Sequence, residues 1–257
     1  MTTNALSSPS CFITFDEDIS DNDIPHELNI HEESIHPLCL LAAEKLQAYI
    51  EEQQEWQHNF GLNETSDSAI IGKMFGVLVV KNIKDEIGYL VGFSGKLAGA
   101  NHHPYFVPPV FDTLDDDFIL NKGMIELGVI NRRLRELVAM DGEQYADEID
   151  SLKIARKLHS SALQKKLYSQ YQFRNSRGDN KSLIDIFKKI PYKNPPAGAG
   201  ECAAPKLLQY AFNNGLKPLA LAEFWWGQSP RSAYWKHKEF YPVCKEKCIP
   251  ILGHMLS

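Results

Sequence analysis

Between residues 37 and 57, apolar residues recur at helical spacing, with Leu38, Leu41, Ala42, Leu46, Tyr49 and Trp56 on one side and polar residues opposite. Pro37 suits a first turn and Gly61 a cap beyond the aromatic tail, so the spacing predicts a helix over 37–57. The period then changes. Met74 to Val80 and Ile87 to Phe93 are apolar, β-rich runs joined by the polar stretch Asn82 to Glu86, which predicts a hairpin. Glycines at 72, 76, 88, 92, 95 and 99 crowd its ends and edges, so this sheet either bulges or lets another element approach its backbone.

From residue 120 the helical period returns. Met124, Leu127, Ile130, Leu134 and Leu137 form one stripe, and Ile149, Leu152, Ile154, Leu158, Leu163, Leu167 and Tyr171 sustain a second. With Asp141-Gly142 as the turn, this predicts an antiparallel helical arm over 120–178. A short helix over 182–189, a helix from Cys202 to Phe212 and an apolar strand from Lys217 to Trp226 follow. The pattern gives an α/β (α+β) body made of 36–119 and 179–257, with the arm inserted between them. Residues 1–35 are rich in Ser, Asn, Asp and Glu. They read as a poorly structured arm anchored only by Cys11-Phe12-Ile13-Thr14-Phe15.

A net charge of −6 argues against a free-standing nucleic-acid binder, but basic residues gather on the predicted arm. Arg132, Arg133, Arg156 and Lys157 are the candidates for following an RNA backbone; the alternative is a solvated helix face. No apolar run is long enough to span a membrane. Five scattered cysteines without a signal peptide point to a reducing, cytoplasmic compartment.

Three of those cysteines fall near predicted helix starts. Cys202 follows a glycine-rich turn, where a helix N-terminus favours a thiolate. Cys244 and Cys248 are four apart, sharing a face if Pro242 opens their helix. Three thiolates suit a zinc ion with a fourth position for water, whereas the plain alternative is reduced, partly buried thiols. Adjacent His102 and His103 point apart in extended chain and cannot chelate one ion together. One of them is a candidate fourth ligand or RNA-phosphate partner, set against the reading of a satisfied loop histidine.

The order hairpin, helix opening at Cys202, strand, then Cys244 and Cys248 resembles the zinc-dependent nucleoside deaminase fold. That resemblance implies a deaminase-like layered sheet with helices, a zinc-bound water and a glutamate that shuttles its proton. Here Cys202-Ala203-Ala204 has alanine at the glutamate's place, and Glu201 or Glu223 would have to substitute.

A second resemblance covers nearly the whole chain. Pro37-Leu-Cys-Leu-Leu-Ala-Ala-Glu44, Trp56-Gln-His-Asn-Phe-Gly61, Ile71 to Lys81, Phe93-Ser-Gly-Lys-Leu-Ala-Gly99, His102 to Asp112 and Gly200 to Leu208 resemble the amino-terminal half of long bacterial pseudouridine synthases of the RluA family. The family's catalytic His-Arg-Leu-Asp string does not occur here. Asn131-Arg-Arg-Leu-Arg135 echoes it with arginine in place of the nucleophilic aspartate. The resemblance therefore implies an accessory module that assists binding of ribosomal or transfer RNA while a C-terminal catalytic domain isomerises uridine. The apolar ending at Ser257 fits a piece of a longer protein. A zinc enzyme acting on a nucleobase or nucleoside, and a structural zinc module for protein contact, are the alternatives.

Overall fold

The computed structural model describes residues 11–31, 34–62, 70–114, 120–141, 143–191, 194–229 and 234–257. The elements, in order, are β1 (Ile13–Thr14), a 3-10 turn (Asp21–Asp23), α1 (Pro37–Glu52), β2 (Lys73–Lys81), β3 (Ile87–Phe93), α2 (Asn121–Asp141) and α3 (Ala146–Gln170). They continue with β4 (Gln172–Arg174), β5 (Asn180–Ser182), α4 (Leu183–Phe187), α5 (Ala203–Asn213), β6 (Lys217–Trp226), β7 (Phe240–Tyr241) and α6 (Cys248–Met255). This is the mixed α/β fold that the pattern predicts.

One sheet, ordered β1-β3-β2-β6-β7 and antiparallel throughout, divides the body. Because strand side chains alternate, β2 serves two cores. Phe75, Val77 and Val79 pack with Leu38, Ala42 and Leu46 of α1, while Leu78 and Val80 pack with Leu207, Leu208, Ile251 and Leu252 of α5 and α6. A strand buried on both faces reads as a continuous apolar run, which is why Met74 to Val80 shows no clean alternation in the sequence.

The glycines of the hairpin have a definite use. A Cβ at Gly76 would come within 3.0 Å of the Ala203 Cβ and 3.1 Å of Leu207, and one at Gly92 within 3.2 Å of Leu207. The bare backbone of β2 and β3 thus lets the first turns of α5 lie close on the sheet, carrying Cys202 with them.

The arm is an antiparallel helix pair with a small core of its own, Leu134, Leu137 and Ile149. Its base joins the body through Tyr168 and Tyr171, with the Tyr168 hydroxyl donating to Pro196 O at 3.1 Å. Leu134 of the Asn131–Arg135 echo is buried inside that core, so the string serves helix packing.

Three expectations are corrected. Helix α1 stops at Glu52 rather than 57, because the Gln53 side chain accepts from the N–H groups of Glu55 and Trp56 and donates to Trp56 O, turning the chain. Residues 11–31 are laid along the body instead of forming a loose arm. Ile13 and Thr14 pair with Tyr89 and Gly88, Phe15, Ile19 and Ile24 pack on the α1 core, and Lys45 bonds Asp16 at 2.8 Å. Residues 1–10 and 32–33 of the predicted arm lie outside the described residues. Finally, Cys244 stands in a turn, and only Cys248 belongs to α6. Its carbonyl accepts from the N–H groups of Cys248 and Ile249, a closed turn that precedes the helix.

Candidate metal centre and basic arm

The glycine-rich turn before α5 does what its residues dictate. Gly198 and Gly200 hold φ of +73° and +89°, and a side chain at Gly200 would also strike Tyr171 at 2.9 Å. The chain then enters α5 with Cys202 at the N-cap, but the thiol makes no capping hydrogen bond and is left for other contacts.

Those contacts converge on Cys248, whose thiol interacts with both Cys202 and Cys244. Cys244 is exposed, Cys202 half-buried and Cys248 buried, and all three are free thiols. The Cys248 thiol and the backbone N–H groups of Lys247, Glu246 and Cys248 pull the Cys244 thiol down to about 5, against a smaller opposing effect of burial. Cys248 is pushed the other way, upward, by Cys202, Cys244 and burial, so Cys244 is the more acidic thiol of this pair.

Glu223 completes the neighbourhood. It stands on β6, is 5% exposed, and its Oε1 accepts from the Ala204 N–H at 3.0 Å. Burial raises its carboxyl to about 7; the Ala204 N–H opposes that shift and nearby Cys244 adds to it. A carboxyl from the strand thus occupies the first turn of α5 beside Ala204, where the deaminase-like motif would place one on the helix itself. The sequence marks Glu223 as a charged residue in an apolar strand, but its contact lies 19 residues away in the chain and leaves no local signal.

As donor chemistry, three thiols and a carboxyl suit a thiophilic divalent cation. Among the described residues, no group of three or more His, Cys, Asp or Glu is already arranged to hold a metal ion. The thiols meet pairwise through Cys248 rather than around one point.

The two loop histidines do not join this cluster. His102 bonds the Asp112 carboxylate at 2.7 Å, and Asp112 also accepts from Asn101 and Leu114. His103 bonds Leu97 O at 2.8 Å, with its ring against Trp56 and Phe93. Both are satisfied within their own surroundings, and the His102 side chain stays 61% exposed.

On the arm, Arg132, Arg133, Arg156 and Lys157 are all exposed. Arg133 bridges the two helices through Glu148 at 2.9 Å and lies 3.9 Å from Glu136, so it is a structural contact. The others form no ion pair among the described residues. One signal in the sequence was more telling than the individual residues. Between Asp150 and Asp179 the chain has no acidic residue but carries Lys153, Arg156, Lys157, Lys165, Lys166, Arg174 and Arg177. In a chain of net charge −6, that places a local positive field along α3 and its exit.

No family model, no curated protein and no solved structure matches this chain. No helix among the described residues is long and apolar enough to cross a membrane.

Proposed function

We propose that this chain is an RNA-holding accessory module of an RluA-like pseudouridine synthase, working in the cytoplasm beside a following domain that isomerises uridine. The observation that carries the reading is the acid-free basic stretch of α3, on a helix pair with a small core of its own, with Arg156, Lys157, Lys165 and Lys166 exposed along it and in no ion pair among the described residues. The sequence strings resembling the amino-terminal half of that family supply the pairing with a synthase domain. No residue of this chain is assigned the nucleophile's role, because the nearest echo of the catalytic motif has Arg135 at the aspartate's place and lies in mid-helix.

The test is a titration of the chain with a structured ribosomal or transfer RNA at a series of salt concentrations. Binding is expected to weaken with salt with a log–log slope of about −3 to −4, as four or five phosphate contacts require. Failure to bind at low salt, or a slope near zero, would remove the RNA role.

A further inference from the structure

A cavity of about 320 Å³ lies where the arm meets the body. Leu127 of α2 and Leu163, Leu167 and Tyr168 of α3 give it apolar walls, and the glycine-rich turn from Ala197 to Ala199, with Glu201, supplies the rest. The volume is ample for one flat, nucleobase-sized group. Three polar side chains on its lining have acceptor atoms to spare. Gln164 donates from Nε2 to the Tyr168 hydroxyl at 2.8 Å, which leaves its Oε1 without a partner among the described residues. Ser160 Oγ forms no hydrogen bond among them either. The Glu201 side chain is only 25% exposed, yet its sole ion pair among the described residues is the 3.9 Å approach of Lys206, and it accepts no hydrogen bond there. A carboxylate so far removed from water is short of donors, and a ligand bearing N–H groups offsets that cost.

The cavity also continues the basic stretch of α3. Helix positions three or four apart share a face, so Ser160 follows Arg156 and Lys157 by one turn and Gln164 follows Lys157 by two. Ser160 and Gln164 are exposed, so the cavity opens on the face that carries those two charges. One turn is about 5.4 Å along the axis, so an RNA strand with phosphates on Arg156 and Lys157 brings a neighbouring nucleotide to this opening. An unstacked base has apolar faces and a polar edge, which suits leucine and tyrosine walls with acceptors among them. The acceptors also choose the base. A carboxylate takes two N–H groups side by side, and guanine alone presents that pair, N1–H and the N2 amino group, on its Watson–Crick edge. Adenine and cytosine set their amino group beside a ring acceptor, and uracil flanks N3–H with two carbonyls.

We propose that this cavity holds one unpaired guanine base of the bound RNA, with N1–H and the N2 amino group donating to the Glu201 carboxylate and the adjoining phosphates on Arg156 and Lys157. Gln164 Oε1 and Ser160 Oγ are the further partners at the opening. The inference rests on the RNA-holding reading and adds to it the element recognised, an unpaired nucleotide beside the phosphate contacts.

The test measures Kd of the full chain, at fixed low salt, for RNA hairpins that share one stem and a uridine loop. The central loop nucleotide is guanosine, inosine, adenosine, cytidine or uridine. The guanosine hairpin is expected to bind at least about tenfold more tightly than the other four, inosine included because it lacks the N2 amino group. Glu201→Gln is expected to bring the guanosine hairpin down to the level of the uridine one. Ser160→Phe, at an exposed position that leaves the Lys206 contact intact, fills the opening and should erase the preference as well, with the salt slope kept. Equal affinity of the unaltered chain for all five hairpins would overturn the guanine site while RNA holding stands. A preference that survives either substitution would overturn its placement in this cavity. Failure to bind any hairpin would overturn the RNA-holding reading itself, and the site with it.

Discussion

Raising the pH from 8 to 10.5 is expected to stabilise the folded chain by about 2–3 kcal/mol relative to its Lys206→Met variant. Lys206 is 2% exposed on α5, and its ammonium donates to Phe93 O at 3.1 Å and Gly95 O at 3.0 Å. It also lies over the Phe93 ring and 3.9 Å from the Glu201 carboxylate. Burial pulls its pKa down from 10.5 to about 8, and the Glu201 carboxylate only partly restores it. Glu201 is displaced upward, chiefly by its own burial. Both shifts express the cost of burying this pair, and at 3.9 Å the two charges do not fully repay it.

The sign follows from the depressed value. Below pH 8 the lysine is charged in both folded and unfolded chain, and the folded state bears the whole cost of the buried charge. Between 8 and 10.5 the folded chain gives up its proton while the unfolded chain keeps it, so stability rises through that window. Urea unfolding of both proteins at pH 8 and near 10.5, under reducing conditions, measures the difference. Parallel behaviour of wild type and variant would mean that Lys206 is not held as a buried cation.

Replacing Arg132, Arg156, Lys157 and Lys165 together by glutamine is expected to lower RNA affinity about a hundred- to thousandfold at 0.1 M salt. The log–log salt slope should shrink by about 3, one phosphate contact being lost with each charge. Glutamine keeps helix propensity close to that of arginine and lysine, and none of the four has an ion pair among the described residues, so the fold is expected to stand. Arg133 is the control. Its bond to Glu148 joins α2 to α3 at an exposed site, and Arg133→Gln should cost under about 1 kcal/mol of stability with a smaller loss of affinity. An unchanged affinity in the fourfold variant would move RNA contact elsewhere or remove it.

Much of this architecture is legible in the sequence, and the illegible parts share a physical cause. The strand over Lys217–Trp226 and the helix opened by Cys202 are bounded by local signals: Asn214-Gly215 before the strand, and Gly198, Gly200 and Pro205 around the helix start. The arm follows from two apolar stripes meeting at one turn. By contrast, Ile19 and Ile24 lie isolated in polar sequence beyond the apolar patch of Ile13 and Phe15, and the chain runs along the body because the edge of β3 and the α1 face accept these side chains. The same limit holds at the cysteines. A spacing of four is compatible with one helix face or with a turn closed by the Cys244 carbonyl, and the backbone takes the turn. For Glu223, alternation along β6 fixes which face it occupies, but its meeting with Ala204 depends on how closely α5 approaches across Gly76.

The accessory role itself is tested most directly by kinetics of pseudouridine formation in RNA, comparing the full-length natural polypeptide with its Arg132, Arg156, Lys157 and Lys165 to glutamine variant. The account predicts a KM for RNA raised by about the factor lost in affinity, with kcat nearly unchanged, because the arm holds RNA and the following domain performs the chemistry. A variant with unaltered KM, or a full-length protein that forms no pseudouridine, would contradict it.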